Sequence, residues 1–267
     1  MSSNRLLAIF LLASCNQVFG NHAVSGDPNA IYDAPIDAPF SCPAIGMTPQ
    51  FSPLLHQYQV ADCLYYAQVG SEAIGYCDAM TSIAPIGTPL VPAVGLPAGG
   101  EQIARLAPDG SYVVNIEITS IPTGSRYVAD GDGWTLAAPQ PELAAFQLGN
   151  IVHVAGADRI TAFFQFDDAI YELVFDGSAW TRVARHPFDE FAIPTGLASM
   201  FWTADALRMV ISDSAANLYY TDRASLDAVF RPAELVGVSG SQYMSMPDDC
   251  SRLYLTGLGS ILYAQRL

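Results

Sequence analysis

One pattern recurs five times between residues 60 and 252 and constrains the fold more than any other feature of the chain. Each copy has a strand-like run, a turn containing a small residue and an aspartate, and a second, alternating run. A repeat of this length indicates an architecture assembled from similar supersecondary units. Aspartate at such a turn accepts hydrogen bonds from nearby backbone amides, so the predicted role is structural. The aspartates are 47, 49, 47 and 43 residues apart: Asp62, Asp109, Asp158, Asp205 and Asp248.

Each repeat contains about four short β-rich runs separated by Gly, Asp or Pro. Other landmarks keep the period, since Trp134 recurs 46 residues later as Trp180. Four strands are the content of one β-propeller blade, and no stretch has the capped periodicity of a helix. The prediction is an all-β fold, a propeller of about five four-stranded blades. In the fourth unit the predicted strands are residues 199–203, 207–212, 217–221 and 229–235.

The fifth unit lacks a fourth strand, because the sequence ends at Leu267, just after the third. An open propeller would leave an unpaired strand edge. We therefore expect an N-terminal strand, within residues 42–52, to close the ring. The competing arrangements are an incomplete propeller and a curled β-sandwich.

The turn Ala107-Pro108-Asp109-Gly110 is similar to the Ser-Pro-Asp-Gly turn of the TolB-type, WD-repeat-like propellers of bacterial cell envelopes. The last two units also resemble that family in the strand that follows and in a Tyr-rich third strand. The resemblance covers residues 54–267, although units one and three match only in spacing and aspartate. That family is functionally mixed and mostly mediates binding, so the resemblance implies a binding role.

Four cysteines follow the N-terminal region, and four cysteines allow three disulfide pairings. Cys63 and Cys77 are equidistant from Gly70, so a hairpin around that glycine would place the two thiols opposite one another. Cys42 and Cys250 would then join the N-terminal segment to the last unit. A metal site is the competing interpretation, but the sequence has no Cys-x-x-Cys pair. Two disulfides indicate an oxidising compartment.

The first fifteen residues resemble the signal of a bacterial lipoprotein. A short segment with one Arg precedes a seven-residue apolar run, too short to span a bilayer, which leads to Leu12-Ala13-Ser14-Cys15. The resemblance implies a signal peptide at residues 1–14 and a lipid on Cys15; the alternative is an ordinary secretory signal. Asn16, where some such proteins have Asp, favours an outer membrane if there is one. We expect a cell-envelope protein, lipid-anchored on the extracytoplasmic side.

Residues 15–50 have the composition of a tether between that anchor and a propeller domain at residues 51–267. They contain five prolines and the repeated tripeptide Asp-Ala-Pro. Such residues cannot bury enough apolar surface to offset the entropy lost on ordering. The roughly 25 residues before Cys42 would reach on the order of 75 Å if extended as polyproline II.

The charged residues exclude one large class of partners. The chain has eleven Arg and no Lys, against 19 Asp and seven Glu, for a net charge of −15. Nucleic-acid binding needs clustered cations that neutralise phosphates, so that function is excluded. The remaining expected partners are the membrane, through the N-terminal lipid, and an envelope protein or glycan.

No catalytic motif or metal-ligand spacing stands out. The sequence lacks a Gly-x-Ser-x-Gly elbow, a phosphate-binding loop and a His-Glu-x-x-His motif. Residues 130–134 are only weakly similar to the Asp-box of sialidases, which is a structural turn. The histidines share no ligand spacing and are interpreted as structural where they lie in strands: His22, His56, His153 and His186.

The sequence therefore predicts a lipid-anchored binding or scaffolding protein of the envelope with no evident catalytic residue, cofactor or metal. The alternative is an extracellular glycan-active hydrolase, because some five-bladed propellers hydrolyse glycosides with paired carboxylates. The candidate pairs are Asp167-Asp168, Asp189-Glu190 and Asp248-Asp249.

Overall fold

Short strands and tight turns make up almost all of the regular structure. The computed structural model describes residues 42–54, 56–59, 63–86, 88–99, 101–118, 120–164, 167–193, 196–239, 243–247, 249–257 and 260–267. Within these ranges the only helical segments are two 3₁₀ turns, Pro141–Leu143 and Phe188–Phe191. The strands are β1 His56–Gln59, β2 Cys63–Val69, β3 Glu72–Cys77, β4 Met80–Pro85, β5 Val91–Pro92, β6 Glu101–Leu106, β7 Tyr112–Ile118, β8 Thr123–Asp130, β9 Gly133–Pro139, β10 Gln147–Val154, β11 Ala157–Phe163, β12 Ala169–Phe175, β13 Trp180–Pro187, β14 Leu197–Trp202, β15 Arg208–Asp213, β16 Asn217–Asp222, β17 Glu234–Ser239, β18 Tyr243–Ser245, β19 Arg252–Gly257 and β20 Ser260–Gln265.

These strands form five antiparallel sheets of four strands each. In sequence order, blades one to four are β2 to β5, β6 to β9, β10 to β13 and β14 to β17. Blade five has the order β18-β19-β20-β1. Neighbouring blades contact one another around the ring, and β18 of blade five contacts β2 of blade one. The described chain is a five-bladed β-propeller, as the repeat predicts.

The ring is closed by an N-terminal strand, but that strand starts later than the sequence suggests. Outermost in blade five is β1, which pairs with β20 so that His56 lies opposite Tyr263. A separate bridge joins Phe51 to Arg266, and the amide of Leu267 donates to the carbonyl of Gln50. The pairing therefore begins near residue 50 and reaches β1, whereas the prediction placed the whole strand within residues 42–52.

Residues 42–50, the end of the predicted tether, lie against blades four and five. Cys42 forms a disulfide with Cys250 in the turn before β19. The carbonyl of Pro43 accepts a 2.8 Å hydrogen bond from Nη2 of Arg208, and the amide of Gly46 donates to Oδ2 of Asp222. These contacts hold residues 42–50 at one end of the propeller. At that end the innermost strand of each blade (β2, β6, β10, β14 and β18) ends. We call this end of the propeller the lower face, and the end where the innermost strands begin the upper face.

The hairpin of the first blade forms the other predicted disulfide, Cys63–Cys77. The turn consists of two residues, Gly70 and Ser71. The second strand, β3, therefore starts one residue later than it would in a hairpin centred on Gly70 alone. A one-residue register shift between Cys63 and Tyr65 restores the pairing and places Cys63 opposite Cys77. Both predicted disulfides are present.

The repeat aspartates do not all occupy the predicted turn. Oδ1 of Asp109 accepts from the amide of Ser111, and Oδ1 of Asp205 accepts from the amide of Leu207, as expected. In blade five the equivalent bond, to the amide of Ser251, is made by Asp249. Asp158 instead lies in β11, because Ala155 and Gly156, both with positive φ, make a two-residue turn there. Asp62 and Asp248 lie outside the described residues.

The outermost strand of blade four is also displaced from its predicted position at residues 229–235. It is β17, which begins at Glu234. Phe230 is buried, but by aromatic packing in a loop: its ring lies 5.8 Å from that of Phe191 and 5.2 Å from that of His186. An apolar residue buried by a loop gives the same sequence signal as one buried in a strand, which explains the error.

Most strand tyrosines of known burial in the described ranges are buried, and several of them pack between blades. Tyr66 of blade one and Tyr254 of blade five meet edge to face with 5.5 Å between centroids, and the amide of Gln68 lies within hydrogen-bond distance of both hydroxyls. Between blades two and three, the hydroxyl of Tyr112 donates a 2.6 Å bond to Asp158. Burial, with the hydrogen bond to Asp158, raises the pKa of Tyr112 far above its ordinary value.

Candidate functional site

A cavity lies at the upper end of the central channel and is shared by all five blades. Its walls come from the beginnings of the innermost strands β2, β6, β10, β14 and β18, and from the ends of β3, β7 and β11. The cavity volume is about 70 Å³. A volume of that size holds only a few water molecules. It therefore accommodates a small molecule or one functional group of a larger ligand.

The cavity wall combines aromatic and uncharged polar groups with one cation. The aromatic and aliphatic part includes Phe163 and three tyrosines, and Tyr243 stands at the rim with 36% of its surface exposed. No aspartate or glutamate is among the described residues that line the cavity. The polar and charged side chains on the wall are Tyr65, Tyr76, Gln102, Arg105, Gln147, Ser199 and Tyr243.

Arg105 is the cation of this cavity and is fixed by the backbone of the next blade. Its Nε lies 3.0 Å from the carbonyl of Leu148 and 2.7 Å from that of Gly149, and Nη2 lies 2.6 Å from the Leu148 carbonyl. Nη1 donates to the carbonyl of Ala104. The guanidinium lies over the ring of Tyr65, 4.3 Å from its centroid. Arg105 therefore joins blades one, two and three without an ion pair to any carboxylate in the described ranges.

Burial has the largest influence on the pKa of the Tyr65 hydroxyl. The pKa of its hydroxyl is raised because the side chain is buried, and the charge of Arg105 only partly opposes this effect. Tyr65 therefore stays neutral at physiological pH, and its ring presents a π face to the guanidinium. That cation–π contact holds Arg105 in one orientation.

Of the carboxylates proposed for glycan hydrolysis, those in the described ranges lie away from the cavity; Asp248 is outside those ranges. Asp167 forms an ion pair with Arg185 and accepts a hydrogen bond from the hydroxyl of Tyr171. Asp168 and Asp189 are exposed, and Glu190 accepts from the amide of Phe230. Asp249 accepts a hydrogen bond from the amide of Ser251 in the turn before β19, at the lower face. None of these side chains lines the cavity.

The resemblance of residues 130–134 to an Asp-box corresponds to a turn. Gly131 and Asp132 connect β8 to β9, and Oδ2 of Asp130 accepts from the hydroxyl of Thr135. The turn is exposed and is not part of the cavity.

A buried ionic cluster between blades three and four was not anticipated from the sequence. Glu172 of β12 lies 2.7 Å from Nε2 of His186 and 2.5 Å from Nη1 of Arg223. Burial alone would raise the pKa of Glu172, but hydrogen bonds and charge from His186 and Arg223 hold it below its ordinary value. A glutamate within the apolar strand Ala169–Phe175 was the available signal, since a buried charge needs a partner.

No metal site emerges from the described part of the chain, where no three His, Cys, Asp or Glu side chains are grouped to hold an ion. His153 pairs with Asp158 across the β10–β11 hairpin, with 2.8 Å between Nδ1 and Oδ1. His22 and Cys15 lie outside the described residues, as does the predicted signal peptide. In the ranges that are described, no helix is both long and apolar enough to cross a membrane.

Comparisons with known proteins add structural similarities of low identity. No family model matches the chain, and no curated protein matches it. A putative 6-phosphogluconolactonase from Bacteroides uniformis is 14% identical with a TM-score of 0.47, over 73% of this chain and 63% of that one. A gluconolactonase from Xanthomonas campestris is 10% identical with a TM-score of 0.46, over 89% and 100% of the two chains. TolB from Acinetobacter baumannii is 11% identical with a TM-score of 0.49, over 78% and 55%.

Proposed function

We propose that this protein is a binding module of the cell envelope, anchored through a lipid on Cys15, which holds its ligand at the upper end of the channel. The observation that supports this proposal is the cavity itself. All five blades contribute to it, and polar and aromatic side chains converge in it. Concave sites of this kind, with a few polar groups among apolar ones, are typical of ligand binding.

The position of Cys42 supports an orientation for such an anchored protein. The disulfide to Cys250 holds Cys42 at the lower face, opposite the cavity. A tether that leads from a lipid on Cys15 to Cys42 would reach the propeller from below. The cavity would then open away from the membrane, towards soluble or wall-bound ligands.

Binding is favoured over glycan hydrolysis by the chemistry of the wall. Paired carboxylates that cleave a glycosidic bond lie about 5–9.5 Å apart across the sugar. The described wall of the cavity has a guanidinium and neutral amides, hydroxyls and rings, but no carboxylate. Such groups can orient a ligand, and they include no acid and base pair for hydrolysis.

A capture experiment with matched variants tests this proposal. The soluble protein from Asn16 onward, immobilised, is incubated with envelope extract and the bound material is identified by mass spectrometry. Gln147→Trp fills the cavity from an exposed position at its rim, and Val183→Trp adds the same ring to the outer strand β13, where Val183 is 52% exposed. We expect Gln147→Trp to lose the bound material and Val183→Trp to retain it.

Equal capture by both variants would place binding outside the channel and contradict the proposal. Cleavage of an envelope glycan that disappears on replacing a carboxylate would favour the hydrolase. The anchor has its own test: incorporation of radiolabelled palmitate into the full chain, which we expect Cys15→Ser to abolish.

A further inference from the structure

We infer that the channel ligand is a small hydroxy acid, whose carboxylate is bound by Arg105 and whose hydroxyl is bound by Gln102 and Ser199. This inference depends on the proposed function, because it names the ligand class of the same cavity. It follows from the hydrogen-bonding groups on the wall that have no partner among the described residues.

The guanidinium of Arg105 has capacity for a carboxylate. Of its five N–H donors, one on Nε, one on Nη1 and one on Nη2 are used by the carbonyls of Ala104, Leu148 and Gly149. One N–H therefore remains on each terminal nitrogen, with no acceptor in the described part of the protein. These remaining N–H groups can donate to the oxygens of a carboxylate, and such charge-assisted bonds are the strong ones.

The charge of Arg105 is also uncompensated within the cavity. The described wall contains no carboxylate, although the protein as a whole carries a net charge of −15. Arg105 is partly buried, and removing a cation from water is costly unless a partner is supplied. Repulsion from distant surface carboxylates is screened beyond about 8 Å at physiological ionic strength. A ligand carboxylate would therefore supply the missing counter-charge locally.

Two further polar groups on the cavity wall can form hydrogen bonds with a hydroxyl group of the same ligand. The amide nitrogen of Gln102 donates to the carbonyl of Gly99, which orients the side-chain oxygen, and that oxygen is buried with no hydrogen-bond partner in the described ranges. Gln102 is only 8% exposed. The hydroxyl oxygen of Ser199 is likewise buried without a partner there. A buried polar atom without a hydrogen-bond partner destabilises the protein, and a ligand that supplies the partner removes that penalty.

A ligand hydroxyl is suited to both atoms. It can donate to the acceptor of Gln102 and accept from the hydroxyl of Ser199, which a hydrocarbon or an ether cannot do. A carboxylate with a nearby hydroxyl thus pairs the free N–H groups of Arg105 and the unpaired oxygens of Gln102 and Ser199, three residues that line one cavity.

Three small probes separate the two parts of this inference. Glycolate has both the carboxylate and the hydroxyl, acetate lacks the hydroxyl, and glycolamide has the hydroxyl but no charge. Each is titrated into isotopically labelled protein while the Nε–H signal of Arg105 and the side-chain amide signals of Gln102 are followed by NMR. We expect saturable shifts in the order glycolate, acetate, glycolamide, with glycolamide binding at least tenfold more weakly than glycolate.

Two variants and a control assign the effect to these residues. Arg105→Gln should remove the preference for glycolate over glycolamide, and Gln102→Leu should remove the preference for glycolate over acetate. Arg182→Gln removes the same charge from an arginine on β13 outside the cavity and should leave the titrations unchanged. Because Arg105 also joins blades, the ranking of the three probes on the unaltered protein decides the matter if that variant does not fold.

Equal affinity for glycolate and glycolamide would overturn the inference and leave channel binding intact. Equal shifts from sodium chloride at the same ionic strength would also overturn it, since they would indicate a general response to anions. If no probe shifts the signals of Arg105 or Gln102, the hydroxy-acid class is wrong, and the capture experiment judges the proposed function separately.

Discussion

Arg223 and Glu172 form an ion pair buried between blades three and four, with Nη1 of Arg223 lying 2.5 Å from Oε1 of Glu172. Their side chains are 0% and 1% exposed. Arg223 also donates to the carbonyl of Ala206 and lies over the ring of Phe230, 4.5 Å from its centroid. Every strong interaction of this guanidinium thus lies within the interface, so the pair links the two blades.

Replacing Glu172 by Gln should destabilise the protein by about 3–5 kcal/mol, because it leaves the buried Arg223 without its counter-charge. The control is Asp132→Asn, which removes one negative charge from the exposed β8–β9 turn. We expect the control to change the free energy of unfolding, measured by urea denaturation, by less than about 0.5 kcal/mol. Equal losses in the two variants would show that the buried pair is not a stabilising link.

The effect of Glu172 should depend on pH in a defined direction. Its pKa in the folded protein lies below its ordinary value, so the ionised form stabilises the fold fully above the pKa of the unfolded chain. This contribution is lost as the pH falls through the folded pKa. The stability difference between the wild type and Glu172→Gln should therefore shrink as the pH is lowered from about 5.5 towards 3. A difference independent of pH would contradict the assignment.

The two disulfides should stabilise to different extents. Cys42–Cys250 spans 208 residues and Cys63–Cys77 spans 14. Chain entropy gives about 5 kcal/mol for the longer loop and about 3 kcal/mol for the shorter one. The double variants Cys42→Ser with Cys250→Ser, and Cys63→Ser with Cys77→Ser, are compared by urea denaturation without reductant. A larger loss in the second variant would show that native-state strain, not loop length, dominates.

The contribution of residues 42–52 to the stability of the closed ring can be measured separately from that of the Cys42–Cys250 disulfide. A chain shortened to begin at residue 53 loses the bridge between Phe51 and Arg266 and the contact of Pro43 with Arg208. The matched control begins at residue 41 and carries Cys42→Ser and Cys250→Ser. We expect the shorter chain to melt at a lower temperature than the control, because β1 alone then pairs with β20. Identical melting temperatures would mean that residues 42–52 contribute nothing to closure.

Gly95 lies where the loop between blades one and two meets the hairpin of blade two. The φ of Gly95 is +91°, and a Cβ there would collide with the backbone carbonyl of Trp134. Gly99 has a similar φ of +80° and open space around it. Gly99→Ala should cost about 1–2 kcal/mol from the left-handed conformation alone, and Gly95→Ala about 1–3 kcal/mol more. Equal effects in thermal unfolding would show that the loop moves aside freely.

Much of the fold could be predicted because it depends on local pattern. The spacing of turns determines how many blades form, and the position of Cys63 and Cys77 about Gly70 was sufficient for their pairing despite the register shift. The prediction was wrong where a different local structure makes the same turn or buries the same kind of side chain. The Ala155-Gly156 turn replaces an aspartate turn, and Phe230 is buried by a loop instead of a strand.

The cavity could not be predicted in this way. Its polar groups Gln102, Gln147 and Ser199 stand at the beginnings of three different innermost strands, about 45–52 residues apart. Nothing in any one strand marks these residues, because both faces of a blade are buried against its neighbours, and the alternation of side chains is the same throughout. The same applies to Glu172 and Arg223, 51 residues apart, which meet across a blade interface.

The sequence by itself determined the all-β content, the five repeated units, the two disulfides and closure by an N-terminal segment, though not the position of the closing strand, since turn chemistry and strand periodicity act over a few residues. Only the tertiary structure decided which side chains face the channel and which charges are buried together. Those choices depend on the curvature of the ring, which brings distant segments to one place after every blade has packed on the next.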